Sequence, residues 1–112
     1  MKNSDFFNSE DLKVEDLGDG LKRQILAFDS KLMMVKVFFE KGAIGNAHHH
    51  PHRQVSYVES GVFEVSLGNQ MQTLKNGDSF FAAPEEVHGV VCLEPGVLID
   101  VFTPAREDFL EA

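Results

Sequence analysis

The chain has one cysteine, no tryptophan, one tyrosine and four prolines in 112 residues. A single thiol, Cys92, forbids an internal disulfide, so the fold rests on its own core, and an unbridged thiol fits a reducing compartment. No apolar run approaches the roughly 18 residues of a membrane span. The opening residues, Met-Lys-Asn-Ser-Asp-Phe-Phe-Asn-Ser-Glu, lack the apolar segment of a signal peptide. Both absences read as a cytoplasmic protein. Positive charge is also scarce: ten Lys and Arg stand against eighteen Asp and Glu, for a net charge of −8. That balance argues against nucleic acid or an anionic membrane as the main partner, because both require cationic surfaces. An anionic small molecule stays compatible, since a bound divalent cation can reverse the field inside its own pocket.

What is present suits one globular unit. Hydrophobic residues make up 43% and charged residues 25% of a 12.5 kDa chain, close to the globular average and far from the composition of disordered chains. The length holds one domain over residues 1–112 and leaves no room for a second.

Glycine and proline divide the chain into short segments rich in Val, Phe, Ile and Leu, while helix signals are nearly absent. Eight strands are expected: 21–28, 32–40, 54–59, 62–67, 70–74, 79–82, 89–93 and 97–102. In the second of these Met33, Val35, Val37 and Phe39 share one face with the period of two that marks a strand. Gly68-Asn69 between two such segments is a two-residue hairpin signal, Asn76-Gly77-Asp78 is a further turn, and Glu94-Pro95-Gly96 is expected to separate the last two strands. Without long crossover segments, eight short strands favour an antiparallel sandwich or barrel of jelly-roll type. The tail, 105–112, reads as a short helix.

Histidine is the local anomaly. Four of five lie in His48-His49-His50-Pro51-His52, and the fifth is His88. In an extended segment residues two apart share a face, so His48 and His50 can enter one cavity while His49 points away. Gln54 has the same parity, and its amide oxygen can join the ring nitrogens as a ligand. His88 must arrive from a distant strand. The alternative is a solvated surface turn. His49 and His52 read as outward-facing or supporting residues.

Gly42-x5-His48-x-His50-x3-Gln54-x6-Gly61 is similar to the first cupin motif, with Gln at the usual Glu position, and Gly77-x10-His88 resembles the glycine and histidine of the second. Ala83 stands where that motif has proline, with Pro84 one residue late, and Glu85 stands where glycine is usual, which puts the turn geometry in question. The resemblance implies a cupin-type antiparallel β-barrel over about 20–104, holding one divalent metal ion on His48, His50, Gln54 and His88. Such a neutral donor set leaves the ion its full charge, which favours Lewis-acid work on an anion. Mixed nitrogen and oxygen ligands suit Zn, Ni, Mn or Fe alike.

With the histidine segment and Tyr57-Val58-Glu59-Ser60-Gly61, the stretch 89–110 resembles the small single-domain cupins of pectin degradation. That resemblance implies linearisation of 4,5-unsaturated uronate monomers, with Asp100, Phe102 and Arg106 carrying catalysis and substrate contact. Alternation along 97–102 independently sets Asp100 on a face with Leu98 and Phe102, where a carboxylate is costly unless paired or used. An outward-facing Asp100 is the other reading. Arg106, just past Thr103-Pro104, could grip a substrate carboxylate with its planar fork, or form a surface salt bridge with Glu107 or Asp108. Phe102 reads as core more readily than as substrate wall.

The expected partners are a small anionic uronate and a second copy of the chain, because exposed edge strands in small barrels are often covered by self-pairing. Three other readings stand beside this one: an oxygen-activating metal cupin, a sugar-binding cupin without chemistry, and histidines with a purely structural role.

Overall fold

The computed structural model describes residues 5–110. Among these residues lie eight strands: β1 (Val14–Gly18), β2 (Leu21–Phe28), β3 (Met33–Phe39), β4 (Ile44–His48), β5 (Arg53–Leu67), β6 (Gln70–Lys75), β7 (Ser79–Ala82) and β8 (His88–Thr103). Every pairing is antiparallel. The all-β, jelly-roll reading of the sequence holds.

Two long strands form the spine. β5 and β8 pair from Arg53–Thr103 at one end to Leu67–His88 at the other, with register shifts between Val58 and Phe63. The first half of β5 also pairs with β7 and its second half with β6. Likewise the first half of β8 pairs with β4 and its second half with β3, which continues to β2 and β1. One sheet is thus β1-β2-β3-β8-β5-β7 and the facing sheet is β4-β8-β5-β6, with the spine bending from one to the other.

Expected and observed strand numbers agree, but the strands are not the same ones. The segments 54–59 and 62–67 are one strand, as are 89–93 and 97–102, whereas β1 and β4 were not foreseen. Glu94-Pro95-Gly96 therefore does not end a strand. Pro95 lies where the ladder with β5 shifts register, and a strand tolerates the missing N–H of proline at such an irregularity. Gly61, with φ of 85°, and Gly96 face each other at the bend; a Cβ on Gly61 would lie 2.6 Å from Gly96 Cα. The motif glycine at 61 is thus a corner of close backbone approach.

The two hairpin turns fall as read: Leu67 pairs with Gln70 around Gly68-Asn69, and Gly77 turns the chain with φ of 96°. The C-terminal helix is replaced by a four-residue 3-10 turn, Glu107–Leu110. Four residues cannot meet the nucleation cost of an α-helix, and positions 111 and 112 lie outside the described residues, as does the start of the N-terminal stretch, 1–4.

The inward faces supply the core. Met33, Val35 and Phe39 of β3 are buried as their alternation required. One cluster, including Phe39, Val58, Phe63, Val90, Cys92 and Leu98, fills the sandwich, with Phe39 and Phe63 edge to face at 5.0 Å. A second cluster of Met33, Val35, Phe102 and Ala105 lies under the C-terminal turn. No helix among the described residues is long and apolar enough to cross a membrane.

Candidate metal centre and acid–base site

Because the spine is bent at Gly61 and Gly96, its two ends meet, and the histidines gather there. His48 closes β4 and is the cross-strand partner of His88 at the start of β8. His50, in the loop before β5, completes a triangle: ring centroids are 4.4 Å apart for His48 and His88, 4.8 Å for His50 and His88, and 5.4 Å for His48 and His50. One nitrogen from each ring lies within 4.8 Å of the other two, so the trio could hold a metal ion.

Backbone carbonyls set the tautomer of all three rings. His48 Nδ1 lies 2.7 Å from the Asn46 carbonyl, His50 Nδ1 3.1 Å from that of His52, and His88 Nδ1 2.9 Å from that of Glu86. A carbonyl only accepts, so each Nδ1 carries the proton and each Nε2 offers a lone pair. Burial lowers the pKa of His50 and of His88, which favours the neutral form that ligates metals.

Two atoms then lack a suitable partner. His88 Nε2 is buried without a hydrogen bond. His50 Nε2 faces Gln54 Oε1 at 3.0 Å, and with the proton on Nδ1 this places one acceptor against another. Gln54 cannot relieve the conflict by turning its amide, because its Nε2 donates to Ser56 Oγ at 2.9 Å. A cation between these acceptors satisfies all of them, so the residues fit a divalent metal.

Asp100 is reached through the same chain of bonds. Ser56, fully buried, donates its hydroxyl to Asp100 Oδ1 at 2.6 Å. In the ladder Ser56 is opposite Asp100 and Gln54 is opposite Phe102, so one register places all four. Asp100 takes the inward side, between buried Leu98 and Phe102, and the outward-facing reading is set aside. Desolvation pushes its pKa up to about 6, against the opposing pull of the Ser56 hydrogen bond and the Arg106 charge. A carboxyl that titrates near neutrality suits proton transfer in either direction.

Of the two readings of Arg106, the structure shows the salt bridge with Asp108. Its Nε and Nη2 donate to Asp108 at 3.0 and 2.9 Å, which is the salt bridge, and it stacks 4.3 Å over Phe109 and 5.2 Å from the Phe102 centroid. Its charge still reaches the site, lowering the pKa of His50, His88 and Asp100. The Nη1 edge makes no bond to Asp108. Phe102 is core, 2% exposed, and also walls the site, its ring 5.9 Å from that of His50.

The departures in the second motif are absorbed locally. Glu85 adopts φ of 64°, the left-handed region glycine favours, and its N–H donates to the His50 carbonyl at 2.7 Å. Its carboxylate meets His49 Nδ1 at 3.0 Å, which holds His49 outside the cluster as expected. Ser56 is the site residue that the sequence reading does not name, whereas Asp108 is one of the two partners it offers for Arg106. Ser56 was accessible to it: Gln54, Ser56 and Val58 follow the period of two that already placed Gln54 inward.

Residues 35–102 match the family model for the cupin domain. The chain is 50% identical over 107 residues, 94% of its length and 97% of the relative's, to the pectin degradation protein KdgF of Dickeya dadantii strain 3937. Among solved structures, an RmlC-like cupin from Shewanella frigidimarina superposes with a TM-score of 0.92 at 50% identity, covering 96% of each chain. KdgF from Halomonas sp. superposes with a TM-score of 0.90 at 39% identity, covering 96% of this chain and 99% of the other. With its histidine cluster and its strand order, the chain belongs to the cupin family and is a homologue of the pectin degradation protein KdgF.

Proposed function

We propose that this chain converts 4,5-unsaturated uronate monosaccharides to their linear keto form, using one divalent metal ion held by His48, His50, Gln54 and His88. The observation that carries the reading is the hydrogen-bonded path from Gln54 through Ser56 to Asp100. It joins the Asp100 carboxylate, through two hydrogen bonds, to the amide whose oxygen faces His50. The pectin degradation role named for the 50% identical relative supports a substrate derived from pectin.

The reaction is an isomerisation. The anomeric hydroxyl loses its proton, the bond from the anomeric carbon to the ring oxygen breaks, and an aldehyde forms. The electrons released leave an enolate on the former ring oxygen, and protonation of the neighbouring alkene carbon gives the ketone. Asp100 takes the first proton and returns it at carbon. Arg106 turns its remaining N–H groups to the substrate carboxylate, and Phe102 walls the ring. When bound, the ion supplies Lewis-acid stabilisation of the negative charge developing on substrate oxygens.

The partner we propose besides the uronate is a second copy. Phe81, Val55, Val101 and Met34 stand in register across four strands on the outward face, and Phe81, Val55 and Met34 are exposed. Sedimentation at micromolar concentration tests this, a dimer being expected. The buried, unbridged thiol of Cys92 suits the cytoplasm.

The test is incubation with purified unsaturated galacturonate, following the loss of its ultraviolet absorbance. We expect loss that depends on the protein, stops with a chelator, returns with Ni2+ or Zn2+ and persists without oxygen. A requirement for oxygen would replace the reading with an oxygenase. Tight uronate binding without turnover would replace it with a sugar-binding protein.

A further inference from the structure

Gln54 can present either end of its amide to the histidines, and only one end is useful to a cation. Oxygen and nitrogen occupy nearly the same volume, so packing alone does not choose between them. The choice comes from the next residue inward. The Ser56 hydroxyl has a single proton, and that proton is donated to Asp100 Oδ1 at 2.6 Å. What Ser56 has left is lone pairs, so the group facing it at 2.9 Å has to be a donor, the Gln54 NH2. Oε1 is thereby turned toward His50 Nε2, 3.0 Å away.

We propose that Ser56 is a positioning residue: it fixes the orientation of the Gln54 amide for metal binding and ties that orientation to the carboxylate of Asp100. The inference rests on the metal reading above and deepens it. It also explains why this chain carries Gln rather than Glu at 54. A carboxylate there would leave two anions, residues 54 and 100, competing for the one Ser56 proton, with an acceptor left unpaired in a buried site. Ser56 is fully buried on the inward side of β5 and touches both residues, so it acts on the ion only through Gln54.

The experiment is calorimetric titration of metal-free protein with Ni2+, with no substrate present, for wild type, Ser56→Ala, Ser56→Thr, Gln54→Ala and the Ser56→Ala/Gln54→Ala double variant. Residues that orient metal ligands change affinity by roughly 10–100-fold when removed, and Ser56→Ala should weaken Ni2+ binding by that order. Ser56→Thr, which keeps the hydroxyl, should bind as wild type does. In the Gln54→Ala background the Ser56→Ala change should have no further effect. Equal losses from Ser56→Ala in both backgrounds, or no loss in either, overturn the proposal. Coupling found in a wild type that does not turn over uronates leaves this inference standing and removes the proposed reaction; turnover without coupling does the reverse. A wild type that takes up no Ni2+ overturns both.

Discussion

Gly61 and Gly96 are each the reason the other is glycine. At the bend of the β5–β8 ladder, a Cβ on Gly61 would lie 2.7 Å from the Glu94 and Pro95 carbonyl oxygens, and a Cβ on Gly96 would meet the Ser60 backbone. These neighbours are main chain and cannot swing aside. Gly96→Ala should therefore lower stability by about 3 kcal/mol, a drop in Tm of more than about 10 °C for a domain of this size. Calorimetry checks it; a melting temperature within a few degrees of wild type would mean that the corner is looser than described.

For Asp100→Asn we expect retained folding and metal content with kcat reduced by about 100- to 10,000-fold, the usual worth of a positioned acid or base. Asn keeps an oxygen for Ser56 but carries no proton across. In wild type, kcat/KM should rise with pH as the carboxylate forms, its midpoint at or below the apparent value of about 6 because a bound cation favours the anion. That limb should vanish from the residual activity of the variant. Turnover at the wild-type rate would reject the acid–base role.

The same carboxyl makes a stability prediction. Its pKa is near 3.8 when unfolded and about 6 when folded. Below about pH 4 both states hold the proton; between the two values only the folded state does, so stability falls as pH rises and levels off above 6. The loss is roughly 3 kcal/mol. Metal-free Asp100→Asn escapes it and should melt above metal-free wild type at pH 7.5, with the gap closing toward pH 4. A gap independent of pH would show that Asp100 is not held in a desolvated position.

Arg106→Lys separates charge from geometry. Lysine keeps the positive charge but loses the fork that grips Asp108 and stacks on Phe109. The expected result is a KM for uronate raised about 10-fold or more with little change in kcat, since a hydrogen bond to a charged group contributes roughly 1.5–3 kcal/mol. An unchanged KM, with an unchanged rate, would remove Arg106 from substrate binding.

Gln54→Glu should move affinity and rate in opposite directions. The added negative charge tightens Ni2+ binding while cancelling part of the charge that acts on substrate, so turnover falls. Titration and steady-state kinetics on one preparation decide it: a rise in both quantities would contradict the role assigned to the neutral donor set.

The sequence carried the inward residues well and the topology poorly. Parity places Gln54 with buried Ser56 and Val58 on β5 and Asp100 with Leu98 and Phe102 on β8, because a strand leaves its side chains no other choice than one face or the other; His50 lies in the loop before β5, and His48 is exposed at the end of β4, so their meeting with His88 comes from the loop and not from parity. The spine was misread for a related reason: Gly61 and Gly96 look like strand ends when each is seen alone, and only their mutual contact shows that the strands bend and continue. β1 and β4 carry weak alternation, with exposed residues at most positions, and are strands by virtue of what they pair with. The Arg106–Asp108 bridge is one of the two readings the sequence offers for Arg106, and the 3-10 turn of the tail selects it. No motif marks Ser56, whose importance lies in the two neighbours its hydroxyl joins.

The bent ladder has a mechanical consequence. His88 belongs to one end of the β5–β8 pairing and Gln54 to the other, yet both meet at the histidines. A bound cation would act as a clasp, tying the two ends of a hairpin-like spring to each other. Amide hydrogen exchange near Gln54 and near His88 should slow together on metal loading, while exchange at the Gly61 corner stays as it was.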